Sequence, residues 1–153
     1  MYSKMINVEN EIRELNYELA YVIDRQGNLY KAEGDCTNVV VDGIDVTDAI
    51  IIHNHPEIDG FASDSFGKDD FMFLAEHPEI KEFRAVNARY SYKLRLLKPL
   101  DVTYHEAEHG GLEFALESGN YEEPQHNAMN WLKKKGYIAY ERTEFEYPFG
   151  KPH

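Results

Sequence analysis

Apolar residues among charges open the chain. Over residues 4–16, Ile6, Ile12 and Leu15 form a helical stripe, predicting an amphipathic helix. The period then shortens. Residues 17–23 alternate or run apolar and predict a strand, and residues 24–28 predict a turn in which Gly27 takes a positive φ. Residues 29–32 return as the second strand of a hairpin, which Gly34-Asp35 breaks. Residues 38–41 read as another short strand, closed by Asp42-Gly43. Residues 49–55 are continuously apolar and β-branched up to two histidines, the pattern of a strand buried on both faces, and Pro56 ends it. A loop is predicted over 57–66 and a helix over 67–76 with Phe71, Leu74 and Ala75 inward. Two strands, 83–86 and 90–97, meet at Asn87-Ala88-Arg89, and Tyr90, Tyr92, Leu94 and Leu96 mark one buried face. Helices follow over 103–117 and 124–135, the second capped by Gly136, then a last strand over 137–140 and an irregular tail from 144.

With no internal repeat, low-complexity stretch or linker, the pattern describes one α/β domain over 1–153, a mixed sheet packed with helices. A chain of 153 residues with 42% hydrophobic positions, eleven Tyr and eight Phe can bury a sizeable core and is not of the disordered class. No apolar run approaches a membrane span, and the N-terminal stretch has no signal-peptide apolar region. The single cysteine, Cys36, excludes an intramolecular disulfide, fits a reducing compartment and points to a cytoplasmic protein. No partner group adjoins it, so it reads as a small buried residue. A net charge of −12 repels a phosphate backbone, which disfavours nucleic acid as a partner. The one basic cluster, Lys133-Lys134-Lys135, reads as a solvated helix face.

Candidate chemistry concentrates in His53-Asn54-His55-Pro56. Residues i and i+2 of a strand share a face, so His53 and His55 emerge side by side at the end of a buried strand, where both can bind one cation. Zinc suits nitrogen plus carboxylate donors, and Asp69 and Asp70 open the following helix. The bland alternative is a pair of solvated histidines beside two helix-capping aspartates.

The stretch resembles the JAMM motif of the JAB1/MPN/Mov34 metalloprotease superfamily, and its HNHP form is similar to the bacterial RadC-like branch. The motif comprises an upstream Glu, then HxH, seven residues, Ser, two residues and Asp. The resemblance implies a JAMM/MPN-like, cytidine-deaminase-like architecture with zinc as cofactor. It makes His53, His55 and Asp70 the metal ligands, with Asp69 in reserve because Asp70-Phe71 matches the family's Asp followed by an apolar helix residue. It makes Glu18 the general base, since Glu18-Leu19-Ala20-Tyr21-Val22-Ile23-Asp24 is similar to the family's strand before a turn glycine; Glu11, Glu14 and Glu33 are competitors. The chain departs from the pattern twice. The family's serine falls on Gly67, and eleven residues separate His55 from Gly67 where the motif has seven. Ser65 lies two positions earlier and is the candidate catalytic hydroxyl; Ser63 has the family's spacing, but its partner position is Phe66, which binds no metal. The glycine weighs on turnover more than on metal binding. The resemblance covers about residues 17–98, leaving 99–153 as a helical C-terminal extension.

A rival signature lies outside that span. His105-Glu106-Ala107-Glu108-His109 spells HExxH, which on a helix sets two zinc-binding histidines and a base on one face. Three features weaken it. Glu108 is charged where such a buried helix is apolar, Gly110-Gly111 costs about 1 kcal/mol of helix per glycine, and among Glu122, Glu123 and His126 no third ligand stands out. The segment reads instead as an exposed amphipathic helix with Leu112, Phe114 and Leu116 on or near its buried side.

The function these readings imply is zinc-dependent hydrolysis of a peptide or isopeptide bond. Zinc would activate water, Glu18 would act as base and then acid, and Ser65 or a backbone N–H would be a second donor. The resemblance implies a protein or peptide partner, such as a ubiquitin-like tail joined to lysine, lying along a strand edge near the 57–66 loop. The alternatives are a non-catalytic zinc-binding scaffold of the same fold and, behind it, an HExxH protease.

Overall fold

The computed structural model describes residues 2–13, 15, 17–33, 43–56 and 65–145. In chain order these form α1 (Tyr2–Ile12), β1 (Leu19–Ile23), β2 (Leu29–Glu33), β3 (Ile50–Asn54), α2 (Lys68–Glu76), β4 (Glu82–Val86), β5 (Tyr90–Leu96), α3 (Tyr104–Ser118), α4 (Pro124–Lys134) and β6 (Ile138–Glu144). The strands make one six-stranded mixed sheet in the order β2-β1-β3-β4-β5-β6. Only β3 and β4 run parallel among these pairs, and α2 lies in the connection that a parallel pair requires. The fold is therefore mixed α/β. The strand expected at 38–41 lies outside the described residues, as does Cys36.

Strand alternation divides the core in two. Leu19, Tyr21, Ile23, Ile50, Ile52 and Val86 pack against Met5, Val8 and Ile12 of α1. Ala20, Val22, Ile51, Phe83, Ala85, Tyr92 and Leu94 face the other way, into a larger core with residues of α2, α3 and α4. All five β3 residues are buried, as a strand covered on both faces requires. Burial of each isoleucine contributes about 1.5–3 kcal/mol. The expected hairpin is present, with Ile23 paired to Leu29 and Gly27 at φ 86° in its turn.

Several inward faces differ from the expected ones. In α1 the buried stripe is Met5, Val8 and Ile12, while Ile6 is exposed and Leu15 lies beyond the helix. In α2 Phe73 joins Phe71 and Leu74 inside and Ala75 faces solvent, because Phe73 stacks on Phe83 at 5.9 Å, a contact alanine cannot make. The largest correction is α3. Leu112 and Leu116 are 59% and 72% exposed, Phe114 is half-buried, and the buried residues are Tyr104, Ala107, Gly110, Gly111 and Ala115. The cause is the close approach of α4. A Cβ on Gly110 would lie 2.1 Å from the Trp131 ring, and one on Gly111 would lie 2.8 Å from the Ala128 backbone nitrogen. The last strand is also longer than expected. It runs to Glu144, pairing with Tyr90, so part of the expected tail is in the sheet. No helix among the described residues is long and apolar enough to cross a membrane.

Candidate metal centre

The centre forms where β3 ends and α2 begins. The β3 ladder fixes His53 opposite Ala20 of β1 and beside Ala85 of β4, on the face of the larger core. Its ring packs on Phe83 at 4.9 Å and Phe66 at 6.1 Å. His55, one pleat further on, is held through its backbone N–H, which donates to the Val86 carbonyl at 2.8 Å. Asp70 is the third residue of α2. Its Oδ2 accepts the Gly67 N–H at 3.1 Å, closing the helix start, where the helix dipole also favours a carboxylate. Asp69 points to solvent.

These three side chains converge. His53 Nε2 and His55 Nε2 are 3.0 Å apart, and they lie 3.1 and 3.3 Å from Asp70 Oδ1 and Oδ2. Donors bound at about 2.0–2.1 Å around a tetrahedral zinc stand about 3.3 Å apart, so the separations fit one cation. The chemistry of the set fits as well. Two imidazole nitrogens and a carboxylate are the donor types of a zinc site. Burial opposes the charge on Asp70, but the two histidines hold its carboxyl well below the usual carboxylate range. His53 Nδ1 is buried with no hydrogen-bond partner among the described residues, an arrangement that costs about 1–3 kcal/mol. The three residues are the group among the described residues that could hold a metal ion.

Glu18 stands outside that group, exposed at the start of β1. The β1–β3 pairing ends at Ala20–His53, and Glu18 lies two residues before Ala20 along the chain. Sequence reasoning missed what holds it there. Asn54, fully buried between the two histidines, accepts the Leu19 N–H at 2.7 Å and donates to the Tyr17 carbonyl at 2.8 Å. Its side chain thus grips the backbone on both sides of Glu18. The signal available was an amide between two histidines, which alternation turns to the opposite, apolar face.

The competing glutamates fall elsewhere. Glu11 bonds Tyr21 Oη on the α1 side at 3.0 Å, and Glu33 pairs with Leu19, whose side chain faces α1. Glu14 and Ser63 lie outside the described residues.

Ser65 is placed differently from the expectation. It is fully buried, and its hydroxyl hydrogen-bonds Tyr140 Oη at 2.7 Å, which in turn bonds His126 Nδ1 at 2.6 Å. Burial and then Arg142 push the His126 pKa down to about 4, against the pull of Glu123. Neither Tyr140 nor His126 carries a sequence signal linking it to residues 53–70.

No family model, curated protein or solved structure matches the chain. His105 and His109 are exposed on α3, apart from the group at residues 53, 55 and 70. Thr103 caps α3 through the Glu106 N–H, and the Glu106 carboxylate reaches back to Thr103, so the glutamate of HExxH is a capping residue here.

Proposed function

We propose that the chain is a zinc-dependent hydrolase of peptide or isopeptide bonds, of the JAMM type its motif resembles. The observation that carries the reading is the convergence of both imidazole Nε2 atoms and both Asp70 oxygens within hydrogen-bond distance of one another. The placement of Glu18 supports it. Zinc in such a set supplies water activated near neutral pH and a Lewis acid for the scissile carbonyl. Glu18 then takes a proton from the attacking water as the C–O bond forms, and gives it to the leaving nitrogen as the C–N bond breaks. Asn54 holds the backbone on both sides of Glu18 during both transfers. The substrate is a protein or peptide, with a ubiquitin-like tail joined to lysine as the leading class. The net charge of −12 favours a basic partner and disfavours nucleic acid.

The test uses zinc-loaded protein against ubiquitin-like isopeptide conjugates and linear peptides, with Glu18→Gln as control. Turnover by wild type and a loss of about 10²–10⁴ in Glu18→Gln at unchanged zinc content is the expected result. The second reading, a zinc-binding scaffold without turnover, is favoured by Gly67 and by the engagement of Ser65 with Tyr140. Bound zinc with no cleavage on any substrate would establish it in place of the first.

A further inference from the structure

Gly67 is not required by its backbone. Its φ of −93° and ψ of −167° are extended values open to any residue. What the glycine provides is room. A Cβ built there would lie 3.0 Å from Gln125 Nε2, 3.5 Å from its Cδ and 3.8 Å from its Oε1. The carboxamide of Gln125 therefore fills the space that a side chain at position 67 would claim. That space adjoins the metal centre, because the Gly67 N–H itself donates to Asp70 Oδ2. Gln125 sits in the first turn of α4, and α4 is fixed by Ala128, Met129 and Leu132 in the core and by its close seat on Gly110 and Gly111. The carboxamide is thus presented from a rigid element. A carboxamide N–H is a competent donor to an oxygen that gains charge in acyl transfer.

We propose that Gln125, through Nε2–H, is the hydrogen-bond donor to the carbonyl-derived oxygen of a ligand at the His53–His55–Asp70 centre, replacing from α4 the side chain that Gly67 lacks. The inference rests on the metal-centre reading of the previous section but not on turnover. Gln125 would touch the ligand, whereas the Ser65 hydroxyl bonds Tyr140 Oη.

The test measures acetohydroxamate binding to cobalt-substituted protein by its visible spectrum, with metal content determined in parallel. Gln125→Leu should retain metal and folding, and its acetohydroxamate Kd should rise about 10–100-fold, the weight of a hydrogen bond to a charged group. Gln125→Glu keeps the shape but offers an acceptor, so it should bind the probe at least as poorly. Gly67→Ser/Gln125→Ala puts a hydroxyl into the vacated space and should return the Kd to within a few-fold of wild type. A mere packing role for Gln125 predicts no such rescue. Wild-type affinity in Gln125→Leu and Gln125→Glu at full metal content would overturn the proposal. Wild-type protein that takes up no cobalt would overturn the metal centre and this inference together. Protein that binds cobalt and probe yet cleaves nothing would defeat the hydrolase reading alone.

Discussion

The chain carries two histidine pairs, and their surroundings separate them. His53 and His55 leave a strand whose five residues are all buried, and a carboxylate from the next helix meets both ring nitrogens. His105 and His109 share one side of a helix, the better-known spacing for zinc, yet both face solvent and the glutamate between them caps the helix. Spacing makes a pair available, and the third donor makes a site. Beside β3 that donor is Asp70, in the first turn of α2. Toward α4, the α3 face carries only small residues, with no ligand to contribute.

The largest expected effect breaks the comparison directly. His53→Ala or Asp70→Ala should reduce bound zinc from about one ion per chain to none by elemental analysis, because two remaining donors do not hold the ion against solvent. Full zinc in His53→Ala would mean that the strand pair is not the centre, whatever its geometry.

A smaller effect sharpens the account of what surrounds the ligands. Asn54→Ala removes one buried and one partly buried hydrogen bond, leaving the Leu19 N–H and the Tyr17 carbonyl without that partner. Each such loss costs about 1–3 kcal/mol, so the urea midpoint should fall. Zinc content should stay at the wild-type value, since Asn54 points away from the ligands. Under the proposed hydrolase reading, kcat should fall with little change in KM, because the backbone on both sides of Glu18 loses its Asn54 bonds. An Asn54→Ala protein of wild-type stability would show that the clamp does not hold β1.

The comparison extends to α3 as a packing element. Gly111→Ala gains about 1 kcal/mol of helix propensity but drives a methyl to 2.8 Å from the Ala128 backbone nitrogen. Overpacking against backbone typically costs about 1–3 kcal/mol, so net destabilisation with unchanged zinc is expected in thermal melts. A stabilised Gly111→Ala would imply that α4 can retreat.

What the sequence made legible follows the same division. The β3 strand, its burial on both faces and the side-by-side histidines were readable because period-2 alternation and β-branching are local. Asp69 and Asp70 were both readable as carboxylates opening α2, and the resemblance chose Asp70 between them. The α3 face was not. Leu112 and Leu116 look like core residues by composition, and only the approach of Trp131 and Ala128, set by a second helix, turns glycine and alanine inward. Gln125 was invisible for the same reason, since nothing within residues 53–70 specifies which distant side chain fills the space above Gly67. The partner of Ser65 was not legible either, because Tyr140 lies 75 positions on. Local periodicity sets elements and their faces, while contacts between helices choose among polar side chains.

The smallest expected effect is the most discriminating test of the comparison. His105→Ala/His109→Ala should leave zinc content unchanged and shift stability by no more than about 0.5 kcal/mol, as exposed substitutions do. Thr103 and Glu106 still close the helix start without them. Both side chains are exposed, so their loss removes no core volume. Reduced zinc in this variant at full zinc in His53→Ala would reverse the assignment of the two pairs. Reduced zinc in both would mean two ions per chain, one held at a centre that α3 builds only when loaded. Unchanged zinc here and loss in His53→Ala would leave spacing as the weaker criterion and the buried third donor as the stronger one.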